Sequence, residues 1–106
     1  MYQSKREEQD NAMIKNLNQL KKRISIGSKF EVIQHTIRPE LNGEIRTVSK
    51  VQSNGFYAKN SLNDSLNNGK GRWTGYNKAV NWKFNNDETI DYLNPNGNVI
   101  MTIRMI

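Results

Sequence analysis

Four Asn-Gly pairs punctuate this chain, at positions 42–43, 54–55, 68–69 and 96–97. Asn-Gly is the strongest short signal for a tight β-hairpin, because both residues tolerate a positive φ. The first two pairs lie near the ends of a basic segment, Leu41 to Tyr57, which reads LNGEIRTVSKVQSNGFY. Tight turns at this spacing predict a small, meandering antiparallel β domain.

The segments between the turns predict five or six short strands between residues 29 and 106. In the first, from Lys29 to Thr36, Phe30 and Val32 share one face. The last, from Val99 to Met105, is largely apolar on both faces, which is typical of a central or helix-covered strand.

The predicted strand from Glu44 to Gln52 breaks the pattern of a half-buried strand. Its apolar residues, Ile45, Val48 and Val51, do not keep a period of two. A β-bulge or a sharp bend between Ile45 and Val48 would place all three inside. Such a bend suits a strand that closes a small barrel.

Residues 4–25 predict an N-terminal helix. Ser4 followed by Glu7 has the form of a capping box, and Gly27 ends the segment. The apolar side chains fall on one narrow stripe, which consists of Met13, Leu17, Leu20 and Ile24. The stripe predicts a helix that packs on the sheet, and its heptad-like spacing leaves a dimerising helix as the alternative.

Length and composition limit the chain to one domain, residues 1–106, with a single modest core. There is no Cys, which excludes disulfides, thiolate metal sites and cysteine nucleophiles. Residues 1–10 are unlike a signal peptide, and no apolar run reaches the length of about 20 residues that a membrane span needs. We therefore expect a soluble cytoplasmic protein without a membrane partner. The net charge of +6 favours partners that carry negative charge.

No residues show the spacing of a catalytic or cofactor site. The only histidine, His35, has no acidic residue close in sequence that would act with it. The acidic cluster of Asp87, Glu88 and Asp91 lies at a predicted turn and lacks the further oxygen ligands of a metal site. The glycines follow no phosphate-loop or dinucleotide pattern. We therefore expect no enzymatic activity, no metal and no cofactor.

Residues 60–71 are rich in Asn, Ser and Gly, with Leu62 and Leu66 as their only apolar side chains. This composition predicts a mobile loop. A loop of this length is usually either functional or disordered.

Basic and aromatic residues alternate between residues 46 and 84. Basic side chains track phosphates, and exposed aromatic rings stack on bases. Phe56, Trp82 and Phe84 are predicted to be core residues, whereas Trp73 and Tyr76 are candidates for exposed contacts. Arg46 and Lys50 are expected on one face of their strand. The candidate binding residues are Arg46, Lys50, Lys59, Lys70, Arg72, Trp73, Tyr76 and Lys78.

Two resemblances add to these expectations. Residues 27–32, GSKFEV, and 41–51, LNGEIRTVSKV, resemble the first two strands of Src-homology-3-like small barrels found in KOW-type ribosomal and transcription proteins. The phrases HTIRPELNGEIRTV (35–48) and VQSNGFY (51–57) are similar in style to small proteins of phages and mobile elements in Gram-positive bacteria. The second resemblance implies a counter-defence inhibitor, such as an anti-CRISPR protein, that blocks a host nuclease by binding it.

Together these observations predict an α+β fold, in which an N-terminal helix (4–25) packs on a small, strongly bent antiparallel sheet or Src-homology-3-like barrel (29–106). The leading hypothesis is a non-enzymatic inhibitor that binds a host protein or nucleoprotein complex, such as a CRISPR nuclease, in the bacterial cytoplasm. The alternatives are a small basic barrel that binds DNA or RNA directly, and an assembly protein that dimerises through its helix. A monomer or a weak dimer is expected.

Overall fold

The computed structural model describes residues 14–76 and 81–106. In these residues the chain forms one short helix, α1 (Leu17–Arg23), and a 3-10 turn, Pro39–Leu41. The strands are β1 (Lys29–His35), β2 (Ile45–Gln52), β3 (Gly55–Lys59), β4 (Arg72–Gly75), β5 (Trp82–Phe84), β6 (Ile90–Leu93) and β7 (Val99–Met105).

The strands form a single antiparallel sheet in the order β4-β3-β2-β1-β7-β6-β5. The sheet curves into a half-barrel, and within the described residues its outermost strands, β4 and β5, do not pair with each other. The β-rich antiparallel fold is therefore confirmed, and each of the four Asn-Gly pairs lies at a turn. The prediction of five or six strands is wrong, because the described residues form seven, including the short β4 and β5.

Of the helix predicted over residues 4–25, the described residues form only Leu17–Arg23, and residues 14–16 are not helical. Helix α1 begins after Asn16, whose side-chain oxygen accepts the backbone N–H of Gln19 at 2.9 Å. This cap satisfies one of the N–H groups that a helix start leaves without an internal partner. The predicted capping box at Ser4 and Glu7 lies outside the described residues.

The apolar stripe of the helix packs into the protein's own core. Leu17, Leu20 and Ile24 are at most 9% exposed, and Met13 lies outside the described residues. They join a cluster that includes Phe30 and Phe56 of the sheet, whose rings meet edge-to-face at 6.0 Å. The described part of the stripe is thus covered within one chain and is not presented to a second copy.

Strand β2 contains a bulge, but not where its sequence predicts one. The register with β3 shifts between Val48 and Lys50, which makes Ser49 the extra residue. Val48 is buried, whereas Ile45 is 43% and Val51 38% exposed, so the prediction that all three lie inside is wrong. The predicted place of the bulge, between Ile45 and Val48, is also wrong. Arg46 takes the buried position that the prediction gave to Ile45.

Strand β7 lies between β1 and β6 in the interior of the sheet, as its apolar composition predicts. Met101 and Ile103 are buried in the core. Their neighbours in β1, Phe30 and Val32, share the same face and are both completely buried, which confirms the predicted face of that strand.

Candidate functional site

The register of the sheet separates two faces, because residues directly opposite each other on paired strands point to the same side. The inner face carries the core and includes Phe30, which pairs with Arg46, and Ala58, which pairs with Arg72. The outer face includes Tyr57, which pairs with both Lys50 and Trp73. The predicted basic-aromatic residues therefore do not form one surface.

The outer face carries a row of three side chains across β2, β3 and β4, namely Lys50, Tyr57 and Trp73. The rings of Tyr57 and Trp73 lie 4.9 Å apart between centroids, at an angle of 54°. Trp73 is 39% exposed, as the sequence predicts for a contact residue. We call this group, together with Lys59 and Lys70 beside it, the outer row.

The segment 60–71 brings its own lysine to the outer row. Lys70 places its Nζ 5.6 Å from the centre of the Tyr57 ring, within reach of a cation–π interaction. Ser49 at the bulge donates its hydroxyl hydrogen to the Lys70 carbonyl at 2.5 Å, and Lys59 donates to the Gly69 carbonyl at 3.0 Å. The segment predicted to be a mobile loop is a series of turns held on the sheet by these bonds.

Arg46 is not a surface residue. It is 2% exposed and donates from Nε to the carboxylate of Glu44, which is itself buried. The same Glu44 oxygen accepts a hydrogen bond from the Asn63 side chain at 3.4 Å. The prediction that Arg46 and Lys50 project together is wrong, because the bulge at Ser49 turns Lys50 to the outer face.

Arg46 and Arg72 line a cleft of about 270 Å³. We call it the arginine cleft. The Nη2 atom of Arg46, the Nε atom of Arg72 and the Oε2 atom of Glu44 are all buried without a hydrogen-bond partner. His35 lies on the same wall, and Leu66, Ile100 and Met101 supply apolar surface.

His35 is held in one tautomer. Its Nδ1 accepts the backbone N–H of Arg38 at 3.0 Å, so the proton of the neutral ring lies on Nε2. Burial lowers the pKa of His35 below its usual value, and the positive charges of Arg46, Arg72 and Arg38 lower the pKa further. The ring is therefore a neutral hydrogen-bond donor at pH 7 rather than a cation.

The remaining candidates are placed differently from their predictions. Tyr76, expected to be exposed, is 3% exposed; its ring lies 5.8 Å from Phe56, and Lys21 of α1 lies over it. Burial raises the pKa of the Tyr76 hydroxyl. Phe84 is only half-buried against the core, and Lys78 lies outside the described residues.

Of the predicted acidic cluster, Asp87 and Glu88 lie in the β5–β6 turn, whereas Asp91 lies in β6. Asp87 accepts hydrogen bonds from the backbone and the hydroxyl of Thr89, which lower the pKa of its carboxyl. Asp91 accepts a hydrogen bond from Thr102 across the strand pair at 2.6 Å. Across residues 14–76 and 81–106, no three histidine or acidic side chains gather closely enough to hold a metal ion.

Sequence reasoning missed two members of the candidate sites. Tyr57 is not among the predicted contact residues, although its place after Gly55 and Phe56 marks the start of a strand whose odd-numbered residues face outward. Glu44 stands two residues before Arg46, and this spacing places two strand residues on one face. An opposite charge at that spacing was the available signal for a buried pair.

In comparisons with known proteins, no family model, no curated protein and no solved structure matches the chain. In the part of the chain described, no helix is both long enough and apolar enough to cross a membrane.

Proposed function

We propose that the protein is a non-enzymatic binding protein that engages single-stranded nucleic acid through the outer row. The observation that carries this proposal is the exposed Trp73 beside Tyr57, with Lys50 in register on the next strand and Lys70 against the Tyr57 ring. Base stacking on such rings is worth about 1–3 kcal/mol per base and tolerates any sequence.

The lysines of the outer row supply the complementary charge. Lys50 is exposed, the Lys59 ammonium group donates to the Gly69 carbonyl, and the Lys70 ammonium group lies 5.6 Å from the centre of the Tyr57 ring. Among the described outer-row residues there is no carboxylate to neutralise them. Phosphates of a strand whose bases stack on Trp73 would therefore meet three positive charges.

A fluorescence titration with oligothymidylate tests this proposal. Binding should quench Trp73, since Trp82 is buried and removed from the outer row. With three phosphate contacts, the slope of log affinity against log salt should be about −2. Trp73→Ala should remove the quenching and weaken binding by about tenfold or more.

Lys83→Gln is the matched control for Lys50→Gln and Lys70→Gln. Lys83 is an exposed lysine at the opposite end of the sheet, in β5. The outer-row variants should reduce both affinity and salt slope, and Lys83→Gln should change them little. No binding of wild-type protein to single-stranded DNA or RNA at low salt would reject the proposal.

A counter-defence inhibitor is the second candidate function. Its support is the similarity of residues 35–48 and 51–57 to small proteins of phages and mobile elements, together with the basic outer row, which also suits an acidic surface on a host nuclease complex. The inhibitor would bind without catalysis. Pull-down from a Gram-positive lysate should recover a nuclease component, and expression should reduce nuclease interference. Failure of both assays would exclude this function.

A further inference from the structure

The outer face of the sheet carries a second line of side chains beside the outer row. Lys29 on β1 lies directly opposite Thr47 on β2, and Thr47 lies directly opposite Lys59 on β3. Lys59 follows Tyr57 by two residues, so both point to the same face, about 7 Å apart along the strand. We call Lys29, Thr47 and Lys59 the second row. It shares Lys59 with the outer row and extends the basic surface to β1.

Both ammonium groups of the second row are held by neighbouring oxygen atoms. Lys29 Nζ donates to the Thr47 hydroxyl at 2.7 Å, and Lys59 Nζ donates to the Gly69 carbonyl at 3.0 Å. An ammonium group has three donor hydrogens, so each lysine keeps two for a further acceptor. The Lys29 side chain is exposed. Because these cations are already positioned, a bound anion loses less free energy in ordering them.

Positive charge is concentrated on this half of the outer face. The lysines that lie there are Lys29, Lys50, Lys59 and Lys70. Glu31 is the only carboxylate in the described strands β1 to β4, and it lies directly opposite Arg104 on β7. At the other end of the sheet, Lys83 lies directly opposite Asp91. The distribution of charge thus favours a polyanion that crosses β4 to β1.

The two rows together form a path across four strands. The outer row extends from Trp73 on β4 to Lys50 on β2, and the second row extends from Lys59 on β3 to Lys29 on β1. With strands about 4.8 Å apart and rows about 7 Å apart, the distance from Trp73 to Lys29 is about 16 Å. A single strand with about 3.4 Å per nucleotide spans this distance with about five nucleotides.

We propose that a nucleic-acid strand bound by the outer row continues across β3 and β2 and places a phosphate on Lys29. This inference rests on the proposed function and adds a binding residue, Lys29, that the sequence-based candidates do not include. It also gives the ligand a minimum length. The ligand is an oligonucleotide of about five nucleotides or more, and a mononucleotide or dinucleotide is too short to reach Lys29.

Quenching of Trp73 by oligothymidylates of about three and about eight nucleotides tests this inference, because only the longer strand reaches Lys29. At about 50 mM salt, Lys29→Gln should weaken binding of the longer strand by about five- to tenfold and reduce its salt slope by about 0.7, the effect of losing one phosphate contact on a single strand. Binding of the shorter strand should change little. Lys29→Arg retains the charge and should retain the affinity and the slope.

Lys83→Gln is the matched control, since Lys83 lies in register with Asp91 on the same face but three strands beyond β1. It should leave the affinity for both strands unchanged. Thermal unfolding checks that each variant is folded. An oligoglutamate with the charge of the longer strand serves as a competitor, and it should displace that strand weakly because it has no bases to stack on Trp73.

The outcomes distinguish this inference from the proposed function. If both strands quench Trp73 but Lys29→Gln weakens both equally or neither, the outer row binds nucleic acid and the path to Lys29 is wrong. If neither strand quenches Trp73 of the wild-type protein, the proposed function is rejected and this inference is rejected with it. Displacement by oligoglutamate as strong as by the longer oligothymidylate would overturn the inference in favour of an acidic protein surface.

Discussion

Arg46 shows how a charged residue in an alternating strand misleads prediction from sequence. Its position two residues after Glu44 places both on the inner face, where they pair with each other. Breaking a buried ion pair by removing one partner costs about 3–5 kcal/mol, because the other charge stays buried and unpaired. Each partner is thus required by the fold as long as the other is present.

Arg46→Ala should lower the free energy of unfolding by about 3 kcal/mol or more, since it leaves the Glu44 carboxylate in the core. Urea denaturation followed by circular dichroism measures the change. The double variant Glu44→Gln/Arg46→Met should recover much of the loss, and Lys50→Ala, on the exposed face of the same strand, should alter stability by about 0.5 kcal/mol or less. A loss below about 1 kcal/mol for Arg46→Ala would contradict this account.

The two aromatic contact candidates show the limit of composition at the residue scale. Trp73 and Tyr76 each stand within two residues of a Gly and three of a Lys, so their sequence surroundings do not distinguish them. Trp73 is exposed because it pairs with Tyr57 on the outer face, whereas the chain beyond Gly75 leads Tyr76 against Phe56 and α1. Side chains alternate between the two faces along a strand, so the exposure of Trp73 and the burial of Tyr76 depend on the residue at which this short strand begins.

At the scale of elements, the segment 60–71 shows that a polar composition does not exclude regular local structure. Asn67, Asn68 and Gly69 all have positive φ, which these residue types tolerate. Asn67 donates to the Gly71 carbonyl at 2.6 Å, and Asn63 is buried against Glu44. The Asn-rich composition predicts the turns, but not the bonds that join them to β2 and β3, because those depend on distant parts of the chain.

Gly71 fixes this segment against β3, and its replacement should be costly. Its φ is +91°, and an added Cβ would collide with the Ala58 carbonyl and the Lys59 Cβ. Gly97 is the matched control: its φ is +86°, but nothing lies within 4 Å of the new methyl group. Gly97→Ala should cost about 1–2 kcal/mol from the backbone conformation alone.

Gly71→Ala should cost more than Gly97→Ala by about 1–3 kcal/mol, the usual range for overpacking. Thermal unfolding of both variants measures the difference. Equal melting temperatures for the two variants would show that the segment moves away from β3 without penalty.

The bulge in β2 was predicted from the broken period of its apolar residues, and a bulge is present. Its position was not predictable from those residues, because the sequence favours burial of Ile45 whereas the fold buries Arg46. Moving the bulge to Ser49 leaves Arg46 and Val48 on the inner face and turns Lys50 outward. Both arginine cleft and outer row depend on that single extra residue.

At the scale of the whole molecule, the sequence predicts the class of fold better than the number of strands in the sheet. Alternation in β1 and β7 identifies the centre of the sheet, since those strands bury Phe30, Val32 and Ile103. The edges are harder to predict because β4 and β5 have only four and three residues. So short a strand carries too few alternating positions to show a period of two.

Leu17→Asp should destabilise the protein by about 3 kcal/mol or more without changing its mass in solution. Leu17 belongs to the core of a single chain, and the substitution both removes apolar contact and buries a carboxylate. Light scattering should give 12.3 kDa before and after the change. Asn18→Asp, on the exposed side of α1, is the control for charge.

A wild-type mass near twice that value, reduced to a single chain by Leu17→Asp but not by Asn18→Asp, would instead support dimerisation through the helix.

The order of the strands has a consequence for the behaviour of this protein at high concentration. A sheet that does not close on itself exposes backbone N–H and C=O groups along its two borders, which other chains can use as a template for fibrillar assembly. Here the borders are β4 and β5, which have four and three residues. A strand from another chain could form only a few hydrogen bonds with either border, so the shortness of β4 and β5 protects against aggregation. A closed barrel would achieve the same protection by having no borders.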